Sequence, residues 1–348
     1  METKVYDINE NNPDLSILKC AAKVIKSGGT VVFPTETVYG LGADALNPEA
    51  VLKIFAAKGR PQDNPLIIHV AHTNIEKYVR EVPKSAQLLM DKFWPGPLTI
   101  IMKKSDVIPD VITAGMDSVA IRMPSNKIAG KLIELSEVPI AAPSANISGR
   151  PSPTNIKHVI DDLLGRVDVI LGGGRTNVGL ESTVIDVTGR PTILRPGGIT
   201  LEQLKAVLGE VFIDPAIMKA ADENLKPRSP GMKYRHYSPK AFMYIVEGEQ
   251  KKVINKINEL SLKSKNEGLK AGILATDETI KKYLNGYILS MGSRENTDTI
   301  AASLFDRLRE FDELNVDVIY AESIPEEDIG LAVMNRMKKA AGYNVIRV

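Results

Sequence analysis

The sequence predicts two α/β units joined by a basic, proline-rich connector: a large unit with a twisted, partly mixed sheet and a smaller, doubly wound one. Three observations predict it. Short β-branched runs such as "TVVF", "PLIIHV" and "PLTIIM" recur among amphipathic stretches throughout residues 1–213, without strict strand–helix alternation. Across 241–348 the alternation is regular, as in a parallel sheet with helical crossovers. Between them, 214–240 carries four prolines, and from Lys226 to Lys240 it has five Lys/Arg and no acid.

Each element has a local cause. Asp14 is a helix N-cap ahead of the stripe Leu15, Leu18, Ala22 and Ile25, and Gly28-Gly29 ends that helix. Cys20, at helical spacing from Leu18 and Ile25, reads as a small core residue. A strand at 30–33 precedes a helix opened by Asn47-Pro48 and closed by Gly59. Next come a strand at 65–70, helices near 74–79 and 83–93, and a strand at 97–102. Further strands fall at 118–123, 138–142, 167–171, 182–187 and 192–195, with helices near 125–135, 154–164 and 200–208. The second unit reads as strands 242–246, 271–276, 286–291 and 316–323, separated by helices 250–263, a short one, and 297–313, with 326–340 last.

Composition narrows the function classes. The 348 residues are 43% hydrophobic and 25% charged, a soluble globular profile with room for two cores. Formal net charge is +1, so no global field attracts nucleic acid or an anionic membrane. One cysteine allows neither an internal disulfide nor a cysteine metal cluster, which suits a reducing compartment. The N-terminal stretch has no signal-peptide core, and no run approaches the ~18 apolar residues of a membrane span. The expectation is a cytoplasmic protein.

Neither a Walker loop nor a strand-linked G-x-G-x-x-G occurs, and "LGGGR" reads more readily as a turn than as a phosphate cradle. HExxH and G-x-S-x-G are absent, and His69 and His72 start on opposite faces of a strand end. No metal site is expected from the protein itself. What remains is a set of polar residues at strand and helix ends: Lys58 and Arg60 in "AKGRPQDN", Arg122 in "VAIRMP", Ser144, Asn146, Ser148 and Ser152 in "APSANISGRPSPT", Ser182 in "GLESTVID" and Arg195 in "LRPGG". Rich in Lys, Arg and hydroxyls and lacking an obvious base or nucleophile, this set suits phosphate chemistry, where positioning and charge neutralisation dominate.

The blocks "FPTETVYGLGADA", "KGRPQDNPLIIHV", "WPGPLT", "VAIRMP" and "APSANISGRPSPT" resemble, in order, those of the YrdC-type domain. "SPGMKYRHYSP" followed by a small α/β unit resembles the two-domain L-threonylcarbamoyladenylate synthases, over essentially the whole chain. The resemblance implies a catalytic domain at 1–213, a linker at 214–240 acting as a lid, and a Rossmann-like α/β domain at 241–348. It implies a nucleotidyltransferase that converts L-threonine, bicarbonate and ATP, with Mg²⁺, into threonylcarbamoyl-AMP and pyrophosphate. A downstream transferase complex then modifies adenosine in tRNAs reading ANN codons, so tRNA is an indirect partner and a membrane is not one.

By similarity, the family's lysine-x-arginine pair is Lys58 and Arg60, and its serine-x-asparagine pair is Ser144 and Asn146; these four are the catalytic and nucleotide-facing residues. Thr35, His69, Arg122, Ala142 and Ser182 match the threonine pocket, Arg122 being suited to the carboxylate by its planar fork. Ser118, Ser152, Arg195 and Tyr234 match ATP contacts, and His236 is expected beside Tyr234 near the nucleotide. Glu36 is left as a metal ligand or a turn cap. The competing readings are an RNA-binding module without ATP turnover and a carbamoyl-adenylate-forming carbamoyltransferase, like the YrdC-like portion of hydrogenase maturation factors.

Overall fold

A computed structural model describes residues 1–218 and 236–348. Two compact units result: Met1–Ser148 with Ser152–Tyr234, and Gly149–Pro151 with Arg235–Val348. The tripeptide joins the second unit through its carbonyls, Pro151 O accepting from Arg309 Nη2 at 2.6 Å and Gly149 O from Ser238 N at 2.9 Å.

The first unit runs β1 (Lys4–Asp7), α1 (Leu15–Lys26), β2 (Val31–Phe33), β3 (Gly40–Asp44), α2 (Pro48–Lys58), β4 (Ile67–His69), α3 (Lys84–Phe93), β5 (Leu98–Lys103), α4 (Asp110–Thr113) and β6 (Ser118–Arg122). It continues with α5 (Lys127–Ser136), β7 (Ile140–Ala141), α6 (Ile156–Leu163), β8 (Val169–Gly172), β9 (Thr183–Asp186), β10 (Thr192–Arg195), α7 (Leu201–Leu208) and β11 (Phe212–Ile213). Its strands form one 11-stranded mixed sheet, ordered β1-β8-β2-β3-β7-β4-β6-β5-β9-β10-β11. Buried residues of α2, α3 and β4–β6, Ile54, Leu89, Ile68, Ile100 and Ile121 among them, share one core cluster. Those of α1, α5 and β2, such as Leu18, Leu132 and Phe33, form another.

The second unit comprises β12 (Phe242–Glu247), α8 (Gln250–Asn266), β13 (Ala271–Ala275), β14 (Tyr287–Ser290), α9 (Thr297–Leu314), β15 (Val318–Glu322), α10 (Gly330–Ala340) and β16 (Val345–Arg347). All its strand pairs are parallel, ordered β14-β13-β15-β12-β16. The chain leaves β13 towards β14 and leaves neighbouring β15 the other way, so their C-terminal ends flank a topological switch point.

Caps decide the helix starts as expected: Asp14 accepts from Ser16 N and Ile17 N, and Asn47 from Glu49 N and Ala50 N. Three readings are corrected. No helix forms at 74–79; Ile75 and Val79 are buried there and Val79 bridges to Lys104 instead. Cys20 is exposed, because the buried stripe is Leu18, Ala21, Ala22 and Ile25, and two residues on from Leu18 is about 200° around the helix. The last helix starts at Gly330, four residues later than the sequence pattern placed it. The pattern also missed β1 and β16, edge strands without a buried residue and with no clear alternation.

Candidate active site

Strand register assembles the site in the first unit. His69 of β4 lies opposite Arg122 of β6, and Arg122 lies opposite Thr99 of β5. Thr99 and Arg195 are in turn both opposite Val184 of β9. Directly paired residues on neighbouring strands project to the same face, so His69, Arg122, Thr99 and Arg195 form one polar row across the sheet. Ser182 ties the end of the row together: its Oγ lies 2.7 Å from Thr99 Oγ1 and accepts from Arg195 Nη2 at 3.1 Å. Gly197 lets the two loops approach, since a Cβ there would collide with the Glu181–Thr183 backbone.

Beside the row, the strand-ending "PTETVYG" folds into a turn held by its own hydroxyls. Thr35 Oγ1 donates to Val38 O at 2.6 Å and accepts from Thr37 N and Val38 N, both at 3.2 Å. Thr35, expected to reach a ligand, thus also shapes the turn. Thr37 Oγ1 accepts from Arg122 Nη1 at 2.8 Å, while Arg122 Nε donates to Gly96 O at 3.3 Å. Arg122 Nη2 stands 2.7 Å from Glu36 Oε1 as a buried ion pair, without the alignment of a hydrogen bond. His69 next to them is neutral: burial lowers its pKa to about 3, helped by the Arg122 guanidinium. Its Nδ1 has no aligned hydrogen-bond partner among the described residues.

A second cluster follows from β7, whose exit is pinned by Ala142 N donating to Ile67 O at 2.9 Å and Leu41 N donating to Pro143 O at 2.9 Å. The loop beyond meets the end of α2. Lys58, only 2% exposed, donates from Nζ to Ser144 O, to Asn146 O at 2.5 Å and to Asn146 Oδ1 at 3.4 Å. Ser144 Oγ donates to Asn146 Oδ1 at 2.6 Å, and Ser148 N to Lys58 O at 2.9 Å. Three of the four motif residues thus share one hydrogen-bonded cluster.

Arg60 turns elsewhere. Gly59, at φ +61°, reverses the chain, and Arg60 Nη2 reaches Asn64 O at 3.3 Å and Pro65 O at 3.0 Å. Ser118, four residues from Arg122 along β6, lines a small cavity with Pro65 and Leu66. Ser152 Oγ donates to the buried Glu181 Oε1 at 2.5 Å. Tyr234 is outside the described residues. In the second unit, His236 lies with its ring 5.5 Å from that of Tyr237, which stacks on Phe305 at 5.2 Å.

Sequence reasoning passed over Thr37, Thr99, Glu181 and Asn64. Buried Asn64 has an Oδ1 with no partner among the described residues, an amide oxygen open to a ligand. Its signal was present in the block "KGRPQDN", where only the two cations were weighed.

Residues 23–197 match the Sua5/yciO/yrdC family model, described as "Telomere recombination", and 199–342 match "Threonylcarbamoyl-AMP synthase, C-terminal domain". A threonylcarbamoyl-AMP synthase of Pyrococcus abyssi is 51% identical over 99% of this chain and all of its own length. The chain belongs to the Sua5 family of threonylcarbamoyl-AMP synthases. A Bacillus subtilis relative of the same name is 47% identical over 98% of this chain and 96% of its own. Pyrococcus abyssi Sua5, solved in complex with L-threonine, superposes with a TM-score of 0.94 at 49% identity, over 99% of this chain and 100% of that one. Escherichia coli YciO aligns with 56% of this chain and 96% of its own, with a TM-score of 0.51 at 26% identity. The YrdC-type part therefore also exists without the second unit.

Proposed function

We infer that this chain is an enzyme that makes threonylcarbamoyl-AMP: L-threonine, bicarbonate and ATP become threonylcarbamoyl-AMP, pyrophosphate and water. The observation that carries the reading is a polar site with two ends in one unit of a chain that matches its family relatives over nearly all of its length and theirs. At one end, Arg122 and His69 with the 35–38 turn make an amino-acid pocket, in which Ala142 and Ser182 take part. At the other, Lys58, Ser144 and Asn146 attend the carbamate and the α-phosphate. Arg60, Asn64, Ser118, Ser152 and Arg195 attend the rest of ATP.

The chemistry asks for no covalent nucleophile. Threonine's nitrogen and bicarbonate give a carbamate, whose oxygen attacks the α-phosphate as pyrophosphate leaves. Fixed cations and hydroxyls align two mutually repelling anions and meet the charge that develops on phosphorus. Mg²⁺ enters with ATP, since it is held chiefly by phosphate oxygens and water; the described residues include no cluster of three or more acidic, His or Cys groups to hold a metal. The product then passes to a transferase acting on tRNA, in the cytoplasm. No described helix is long and apolar enough to cross a membrane.

Labelled bicarbonate tests the reading. With ATP, Mg²⁺ and L-threonine, the label is expected in an acid-labile adduct that also contains the AMP and threonine moieties. Label remaining in bicarbonate contradicts it.

A further inference from the structure

We propose that Glu36 receives the α-ammonium group of the amino-acid substrate, so that Glu36 and Arg122 together read both charged ends of an α-amino acid. The proposal rests on the threonine reading above and assigns that pocket a residue which the sequence had left as metal ligand or turn cap.

Glu36 is a carboxylate only 8% exposed, and its Oε2 has no hydrogen-bond partner among the described residues. Its Oε1 meets Arg122 Nη2 at 2.7 Å, but out of hydrogen-bond alignment. A buried carboxylate left in this state is unfavourable unless a ligand completes it. Orienting Arg122 does not explain it, because Thr37 Oγ1 and Gly96 O already hold two of the three guanidinium nitrogens. Thr35, which could have served Glu36, is committed to the turn.

The charges choose the ligand class. A divalent cation on Glu36 would sit against the Arg122 guanidinium, and a simple anion on Arg122 would sit against Glu36. A zwitterion satisfies both: its carboxylate takes the Nη2 edge of Arg122 and its ammonium takes Glu36 Oε2. Neighbouring His69, held neutral by its burial, adds no charge to repel the ammonium.

The test compares L-threonine with its 2-hydroxy analogue, 2,3-dihydroxybutanoate of matching configuration, by calorimetric titration. Wild type is expected to bind threonine roughly 10- to 100-fold more tightly, the worth of one charge-assisted hydrogen bond. In Glu36→Gln that preference disappears, because threonine loses its ammonium partner while the anionic analogue no longer faces a carboxylate and binds at least as well as before. Equal weakening of both ligands, or of neither, overturns the proposal, since Glu36 would then act only through Arg122 or not at all. Wild type alone decides the matter if the variant fails to fold, because threonine binding without preference over the analogue overturns the proposal while leaving the threonine reading intact. Wild type that binds neither ligand removes the threonine reading itself, and the proposal with it.

Discussion

A buried ammonium must find acceptors for its protons, and Lys58 finds them on the backbone and side chain of the 144–146 loop. That arrangement fixes the loop and, on the proposed reading, sets a cation beside the α-phosphate of ATP. Lys58→Ala is expected to lower pyrophosphate release by about 10²–10³-fold, as removal of one preorganised donor does elsewhere. It also leaves the loop carbonyls without this donor, for about 1–3 kcal/mol of stability in chemical denaturation. His69 makes a separate prediction. Its folded pKa of about 3 lies below the ordinary 6.5, so between these values the unfolded chain binds the extra proton. Its contribution to stability is complete above pH 6.5 and is lost as pH falls towards about 3, at no more than about 1.4 kcal/mol per pH unit. His69→Gln should flatten the acid limb of stability against pH in that window; an unchanged limb would mean that the imidazole protonates without unfolding.

Elements, more than single groups, aim the site. The 35–38 turn uses two hydroxyls, one to close itself and one to hold Arg122. Thr37→Val keeps the shape and removes the second hydroxyl, so the KM for threonine should rise about tenfold, the worth of one hydrogen bond to a charge, with the KM for ATP unmoved. The end of α2 depends on Gly59 in the left-handed region with open space around its absent Cβ. Gly59→Ala therefore carries only the conformational penalty, about 1 kcal/mol.

In the second unit, Glu322 at the end of β15 is fully buried and accepts from Thr276, Thr279, Tyr283 at 2.5 Å and Arg294 at 3.3 Å. Burial and the adjacent carboxylate push the Tyr283 hydroxyl upward, so it remains a donor at any ordinary pH. Glu322→Ala should destabilise this unit by about 3 kcal/mol in denaturant unfolding, because it removes the shared acceptor and leaves these donors without a partner.

At the scale of the whole molecule, local chemistry was legible and distant pairing was not. Asp14 and Asn47 cap the helices that their own sequence announces, because capping is decided within four residues. Strand β1 pairs with β8, more than 160 residues away, and nothing within "KVYD" reports that partner. The site divides in the same way. Lys58, Ser144 and Asn146 were named by motif and do converge. That Arg60 reaches Asn64 O and Pro65 O was not legible in the motif. Arg122 was conspicuous as a charge in an apolar strand; its partners Thr37 and Glu36 became visible only once register set β6 beside the turn.

The most direct measurement is pyrophosphate release by the full chain with ATP and Mg²⁺, with L-threonine and bicarbonate supplied together and each omitted in turn. The account predicts release only when both are present, and its collapse in Lys58→Ala. Release that proceeds without threonine, or none with every substrate supplied, would contradict it.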